Sequence, residues 1–305
     1  MPLPLSYPGL KCVLENLEAV KRVHIISRAP GLQKVDKLIP LRLKDFSIVK
    51  EEMTINTLRI GYGYDKDKVK FENDMNEKTF SRQRGESSED KMKKFVNFYF
   101  CGRSIIHVHE LCWCDGMFQN FLPVDMKFRV NSLTAISYYF NTAIPFIDPH
   151  SFPLKTLFTS IANTSIFDIQ VVKLTETLLL NLAIDRIVTV EDLKKLNNKT
   201  VIFKHCRFRI DLISLIKYHI ETKKDIRTTF VIPTDCKGFI NNMLREFNLA
   251  FGKFRCDLKG VNERFLPGSS RFSIPINDGS RIHVYATKGS QKGFYEIIVK
   301  PVSGL

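Results

Sequence analysis

The sequence predicts an α/β chain: a short three-helix module over residues 1–40, an irregular repeat-like α/β body over 41–234, and a C-terminal helix with an antiparallel meander over 235–305. Three observations carry this reading. Apolar residues run at helical spacing as far as Ile39, the period changes to two from Leu41, and short strand-like phrases then recur at similar distances.

The first helix is signalled by Pro8, which a first helical turn tolerates, with Ser6 available as its cap. Leu10, Val13, Leu14 and Leu17 then fall on one face at i, i+3, i+4 and i+7. A second helix carries Val20, Val23, Ile25 and Ile26 up to Arg28, where Pro30 and Gly31 break it. The third runs from Leu32 through Val35 to Ile39 and stops at Pro40. Helices this short bury little area, so part of the apolar stripe is expected to dock elsewhere.

Leu41 to Leu43 and Thr54 to Ile60 alternate as strands, the second running into a Gly61-Tyr62-Gly63 turn. The charge-rich stretch 65–90 reads as a loop or hairpin with its tip around Ser81 to Ser88. Ser87 or Ser88 then caps a helix with Met92, Phe95, Val96, Tyr99 and Phe100 on one face and Gly102 as its stop. Its basic residues Lys91, Lys93 and Lys94 are read as a solvated face.

Beyond that helix the phrases anchored on Val108, Val130, Leu157, Leu179, Val201 and Phe230 are spaced by roughly 22 to 29 residues, near the period of leucine-rich repeats. Each strand-plus-helix unit of such a solenoid buries its apolar face against its neighbours. An ordinary α/β domain with connections of similar length is the alternative. Between phrases, Thr189 with Asp192 makes a capping box before Leu193 and Leu196, and Ile210, Ile213, Ile216 and Ile220 form a helical stripe. In the last segment Asp235 caps a helix bearing Phe239, Ile240, Met243, Leu244 and Phe247. Alternating runs follow at 254–258, 271–276, 281–286 and 295–299, with Asn277-Asp278-Gly279 as a tight turn.

The formal net charge of +14 favours an acidic partner, while the spread of Lys and Arg over nearly every polar face weighs against nucleic acid. A nucleic-acid-binding protein using Lys127, Arg129, Lys204, Arg207 and Arg209 is the competing reading, recognisable by a steep salt dependence. No apolar run reaches the roughly 18 residues of a membrane span. Met1 to Leu10 holds three prolines and no basic residue, unlike a leader peptide, and seven scattered cysteines are unlike a secreted disulfide framework. A cytoplasmic or nuclear protein is expected.

No nucleophile elbow, phosphate loop or His-Glu-x-x-His pair is present, so the expectation is a binding protein and not an enzyme, with no cofactor. Two histidines and two cysteines in His107-Val108-His109-Glu110-Leu111-Cys112-Trp113-Cys114 have the chemistry of a zinc site. Ligands within one unbroken segment seldom close around a metal, and the Cys-x2-Cys spacing is missing, so the segment is read as a half-buried strand packing Trp113, with no metal. His205 beside Cys206 points to the opposite face of a strand and activates nothing.

The segment from Leu5-Ser6-Tyr7-Pro8-Gly9-Leu10 to Leu17 and the run from Val23 to Arg28 resemble the opening and second helix of an F-box. With the segments Asp36 to Leu43, Asp90 to Lys94 and Arg264 to Phe272, the chain resembles the nematode-expanded F-box C family, an F-box-like module plus an associated domain of unknown function. Ser6, Pro8 and Gly9 depart from the motif. The resemblance implies a substrate receptor of a cullin-RING ubiquitin ligase, or a decayed paralogue that keeps only its interaction domain. It also implies a Skp-type adaptor held by Leu5, Tyr7, Leu10, Val13, Leu14, Leu17, Val23 and Ile26, and a protein substrate, for which the positive charge suits an acidic one.

Overall fold

The computed structural model describes residues 7–49, 52–62, 68–73, 76–81, 87–103, 105–114, 118–123, 125–161, 164–182, 187–204, 210–289 and 293–303. It is mixed α/β and divides into two compact units, Met1–Phe152 and Pro153–Leu305. Ser6, Gly63, residues 82–86 of the expected loop tip and residues 205–209, which include His205, Cys206, Arg207 and Arg209, lie outside the described residues.

In the first unit Tyr7–Asn16 forms α1, Ala19–Ser27 forms α2, and a 3-10 turn at Pro30–Leu32 leads into α3, Gln33–Leu38. Glu18 caps α2 by accepting from the Lys21 amide. The three short helices close a small core of their own, with Leu14, Ile26 and Ile39 buried together and Leu10, Leu32 and Val35 packed around them, while Val13, Ile25 and Leu38 stay exposed.

Three parallel strands follow in space, β1 (Leu41–Val49), β6 (Ile106–Trp113) and β7 (Phe128–Ala135). The β1 strand is extended by antiparallel β2 (Glu52–Ile55), β3 (Leu58–Tyr62), β4 (Lys68–Asn73) and β5 (Asn76–Ser81), giving the order β7-β6-β1-β2-β3-β4-β5. The single strand expected over Thr54 to Ile60 is a hairpin: Asn56 takes φ +53°, a left-handed turn conformation that asparagine tolerates. Gly61 and Tyr62 belong to β3 and not to a turn.

All three parallel strands slip phase at one level. Leu41 and Leu43 are buried, then Phe46; Ile106 and Val108, then Leu111; Phe128 and Val130, then Leu133. Two consecutive residues leave the core in each: Lys44–Asp45, His109–Glu110 and Asn131–Ser132. The Asn56 side chain fits that step, its Oδ1 accepting from the Lys44 and Asp45 amides at 2.9 and 3.2 Å while its Nδ2 donates to Glu18 at 2.6 Å.

The expected helix over 88–100 is α4, Ser88–Phe100, capped by Ser87. Met92, Val96, Tyr99 and Phe100 are buried, but so is Lys91, which leaves only Lys93 and Lys94 of that cluster exposed. A lysine's four-carbon stem packs readily, which a charge-based reading overlooks.

In the second unit β8 (Thr156–Ile161), β9 (Thr177–Leu182), β10 (Thr200–Lys204) and β11 (Thr229–Thr234) are parallel neighbours in sequence order. Between them lie α6 (Gln170–Leu174), α7 (Val190–Lys194) and α8 (Leu212–Thr222), α5 being the short turn Phe140–Ala143 of the first unit. The Thr189/Asp192 capping box on α7 is formed. The buried face of α8 is Leu212, Leu215 and Ile216, so of the isoleucine stripe only Ile216 is fully buried, and the inward residues of β9 are Leu178, Leu180 and Leu182. Asn198 is buried ahead of β10, its Nδ2 donating to the Val172 and Thr175 carbonyls at 2.7 and 2.6 Å and so stitching one strand–helix connection to the next.

Helix α9, Lys237–Phe251, starts from Cys236 with no side-chain cap, so Asp235 does not cap it. Its buried Phe239, Ile240, Leu244 and Phe247 match the predicted stripe, with Met243 half-buried. The meander is β12 (Phe272–Asn277), β13 (Ser280–Lys288) and β14 (Tyr295–Ser303), and β14 adds antiparallel to β11. Residues 254–258 contribute only a bridge between Arg255 and Phe272.

Candidate functional site

Of the residues expected to hold an adaptor, Leu5 and the Tyr7 side chain lie outside the described residues. Leu14, Val23 and Ile26 are buried, Leu10 packs on the internal cluster, and Leu17 is half-buried. Only Val13 is substantially exposed, at 48%. Two apolar side chains that were not singled out as contacts join it, Ile25 at 53% and Leu38 at 70%. Each immediately precedes the residue by which its helix enters the core: Val13 before Leu14, Ile25 before Ile26, Leu38 before Ile39. The module therefore spends one apolar side of each helix internally and leaves a second apolar position open.

Under those helices sits a charge network that periodicity did not reveal. Arg22 is 1% exposed and all five of its N–H groups donate: to Asp36 Oδ1 at 2.6 Å and to the carbonyls of Leu14, Pro40, Asp36 and Ile39. Arg103 adds a second guanidinium on the other Asp36 oxygen at 2.8 Å. Planar forked donors of this kind satisfy several carbonyls at once, which a lysine cannot do. Next to them, His24 bonds the Tyr99 hydroxyl at 3.1 Å and packs on the half-exposed Phe98, while burial pushes the Tyr99 phenol up to about 12.

On the face of the first unit's parallel strands opposite the core, Arg42, His107 and Arg129 stand in one register row. Arg129 is paired with Asp148 at 2.9 Å, and Asp148 also holds His150 at 2.8 Å. These partners keep the Asp148 carboxyl well below the usual carboxylate range. Burial and the flanking Arg42 and Arg129 hold the His107 imidazole below its ordinary value. The row is a cationic strip with one internal counter-charge.

The corresponding face of the second unit is of another kind. Thr156, Thr177, Thr200 and Thr229 lie in one register row across β8 to β11, and Phe158, Leu179, Ile202 and Val231 lie in the next, continued on β14 by Ile298. All are half-exposed. Lys204 Nζ stands 5.4 Å from the Phe158 ring centre. At the margin, burial raises the Glu296 carboxyl above its ordinary range. A row of threonine hydroxyls thus lies beside a half-exposed apolar row. The recurrent Thr at the head of each strand phrase was the available sequence signal.

The His/Cys segment is strand β6, with Trp113 fully buried, its Nε1 bonded to Thr142 and its ring stacked on Phe146. Among the described residues no three His, Cys, Asp or Glu side chains are placed to share an ion, and no helix is long and apolar enough to cross a membrane.

Residues 87–235 match the family described as a domain of unknown function, DUF3557. The matched segment opens at the Ser87 cap of α4 and closes just beyond β11, so it contains the parallel strands β6 to β11 and the helices between them. No curated protein and no solved structure matches the chain.

Proposed function

We propose that this chain is a non-catalytic substrate receptor of a Skp-cullin-F-box type ubiquitin ligase, in which the N-terminal helices hold a Skp-type adaptor and the strand faces beyond Leu41 recruit the protein to be modified. The resemblance to the nematode F-box C family supports the adaptor half, and the match of residues 87–235 to a domain of unknown function is consistent with that family's associated domain. The observation that carries the reading is the module itself. Three short helices closed around Leu14, Ile26 and Ile39 still expose Val13, Ile25 and Leu38, an apolar set suited to a partner's groove. The repeat-like register of β8 to β11, with one buried row and one half-exposed row, suits a leucine-rich-repeat-like recruiting surface.

The test is capture of a Skp-type adaptor by the purified full chain, beside a Val13→Asp/Ile25→Asp variant. Binding by the first and not the second supports the receptor. Leu14→Asp is a poor probe, because Leu14 is a core residue and its loss unfolds the module. A decayed paralogue that acts only as an interaction domain is the second reading, favoured by the burial of Leu14, Val23 and Ile26. Absence of adaptor binding by the folded wild-type chain selects it.

A further inference from the structure

Cys112 and Cys114 close strand β6 and its exit, with their sulfurs 3.5 Å apart. Both are half-exposed, and both are free thiols. Strand alternation puts residues i and i+2 on one face, so the pair projects together while Trp113 between them is buried on the other side. The histidines of the same strand do not reach the pair. At about 3.3 Å per residue, His109 is roughly 10 Å and His107 roughly 16 Å along the strand from Cys112, and His109 is already bonded to Asn131. Among the described residues, four-ligand zinc or iron–sulfur chemistry therefore has half its ligands missing.

We propose that Cys112 and Cys114 form a two-thiolate site for a soft, low-coordinate cation of the Cu(I) type. Thiolates select such ions, and two sulfurs complete their coordination where a harder or tetrahedral ion needs more. Two sulfurs on opposite sides of an ion stand farther apart than the present 3.5 Å, an adjustment that side-chain rotation supplies. On binding, each thiol gives its proton to solvent as its sulfur takes the metal. A disulfide is the less favourable fate of the same pair. Neighbours at i and i+2 of a strand hold their Cα atoms about 6.6 Å apart, near the upper end of disulfide geometry.

The experiment uses the reduced full chain with Cu(I) held as its complex with a coloured chelator, read by loss of that colour, together with X-ray absorption at the copper edge. The wild-type chain and a Cys12→Ser/Cys236→Ser variant should each withdraw a single Cu(I), and a Cys112→Ser/Cys114→Ser variant should withdraw none, with sulfur as the only ligand in the wild-type spectrum. No uptake by the wild type, equal uptake by the Cys112→Ser/Cys114→Ser variant, or nitrogen and oxygen ligands in the spectrum would overturn the assignment. The spectrum is decisive even if the serine variant folds poorly.

Discussion

The Arg22 guanidinium donates to Asp36 at 2.6 Å with both side chains only 2% exposed, and Arg103 reaches the second oxygen of the same carboxylate. One carboxylate thus bridges two buried guanidinium groups, one on each oxygen, and Arg22 fastens the ends of α1 and α3 through the Leu14, Ile39 and Pro40 carbonyls. Removing Asp36 leaves two uncompensated cations in the interior. Asp36→Ala is expected to destabilise the chain by about 3–5 kcal/mol, measured by urea unfolding, whereas Lys93→Ala on the exposed side of α4 should change little.

Asn56 separates a backbone requirement from a side-chain one. Its positive φ suits glycine as well, but its amide also fills the step in β1 and links it to Glu18. Asn56→Gly should lose only those hydrogen bonds. Asn56→Ala should lose them and add about 1–2 kcal/mol of left-handed strain, so that chemical denaturation ranks wild type above Gly and Gly above Ala.

Asn198 makes a prediction for the second unit. Replacement by Ala abandons two buried carbonyls, those of Val172 and Thr175, at about 1–3 kcal/mol for each unsatisfied group. Hydrogen exchange should quicken first in α6 and at the start of β10, and uniform protection across the second unit would contradict the stitching role.

Glu296 gives a pH signature. Burial raises its carboxyl above the ordinary value, so the folded state favours the protonated form; the benefit is full below the unfolded-state value and is lost as pH rises through the raised folded value. Glu296→Gln should therefore raise the melting temperature at neutral pH and have little effect in acid below the carboxylate range. His107 runs the other way. Its lowered imidazole value means that stability present above the ordinary histidine range falls away as pH drops through the folded value, and His107→Gln should flatten that acid limb.

Much of the fold was legible because periodicity and capping are local. The Ser87 cap, the Thr189/Asp192 box, the strand phrases and the α9 stripe are each decided within a few residues, and each is where the spacing put it. The failures were non-local. The Thr54 to Ile60 alternation hid a hairpin because Asn56 turns to satisfy the step in β1, eleven residues upstream at Asp45. Nothing in the local pattern marked Arg22 as buried, because its carboxylate partner Asp36 lies fourteen residues on and the second arginine on that carboxylate, Arg103, farther still. The apolar stripe of α1 announced a helix but not which of its residues the module would keep, and so Leu14 and Val13, which spacing puts on one face, part: Leu14 is buried and Val13 exposed.

Hydrogen–deuterium exchange of the full chain, with and without a Skp-type adaptor, tests the receptor account most directly. The account predicts new protection in α1, α2 and α3 around Val13, Ile25 and Leu38, with the half-exposed rows of β8 to β11 unchanged and so free for a substrate. Unchanged exchange throughout the helices, or protection confined to those strands, would contradict it.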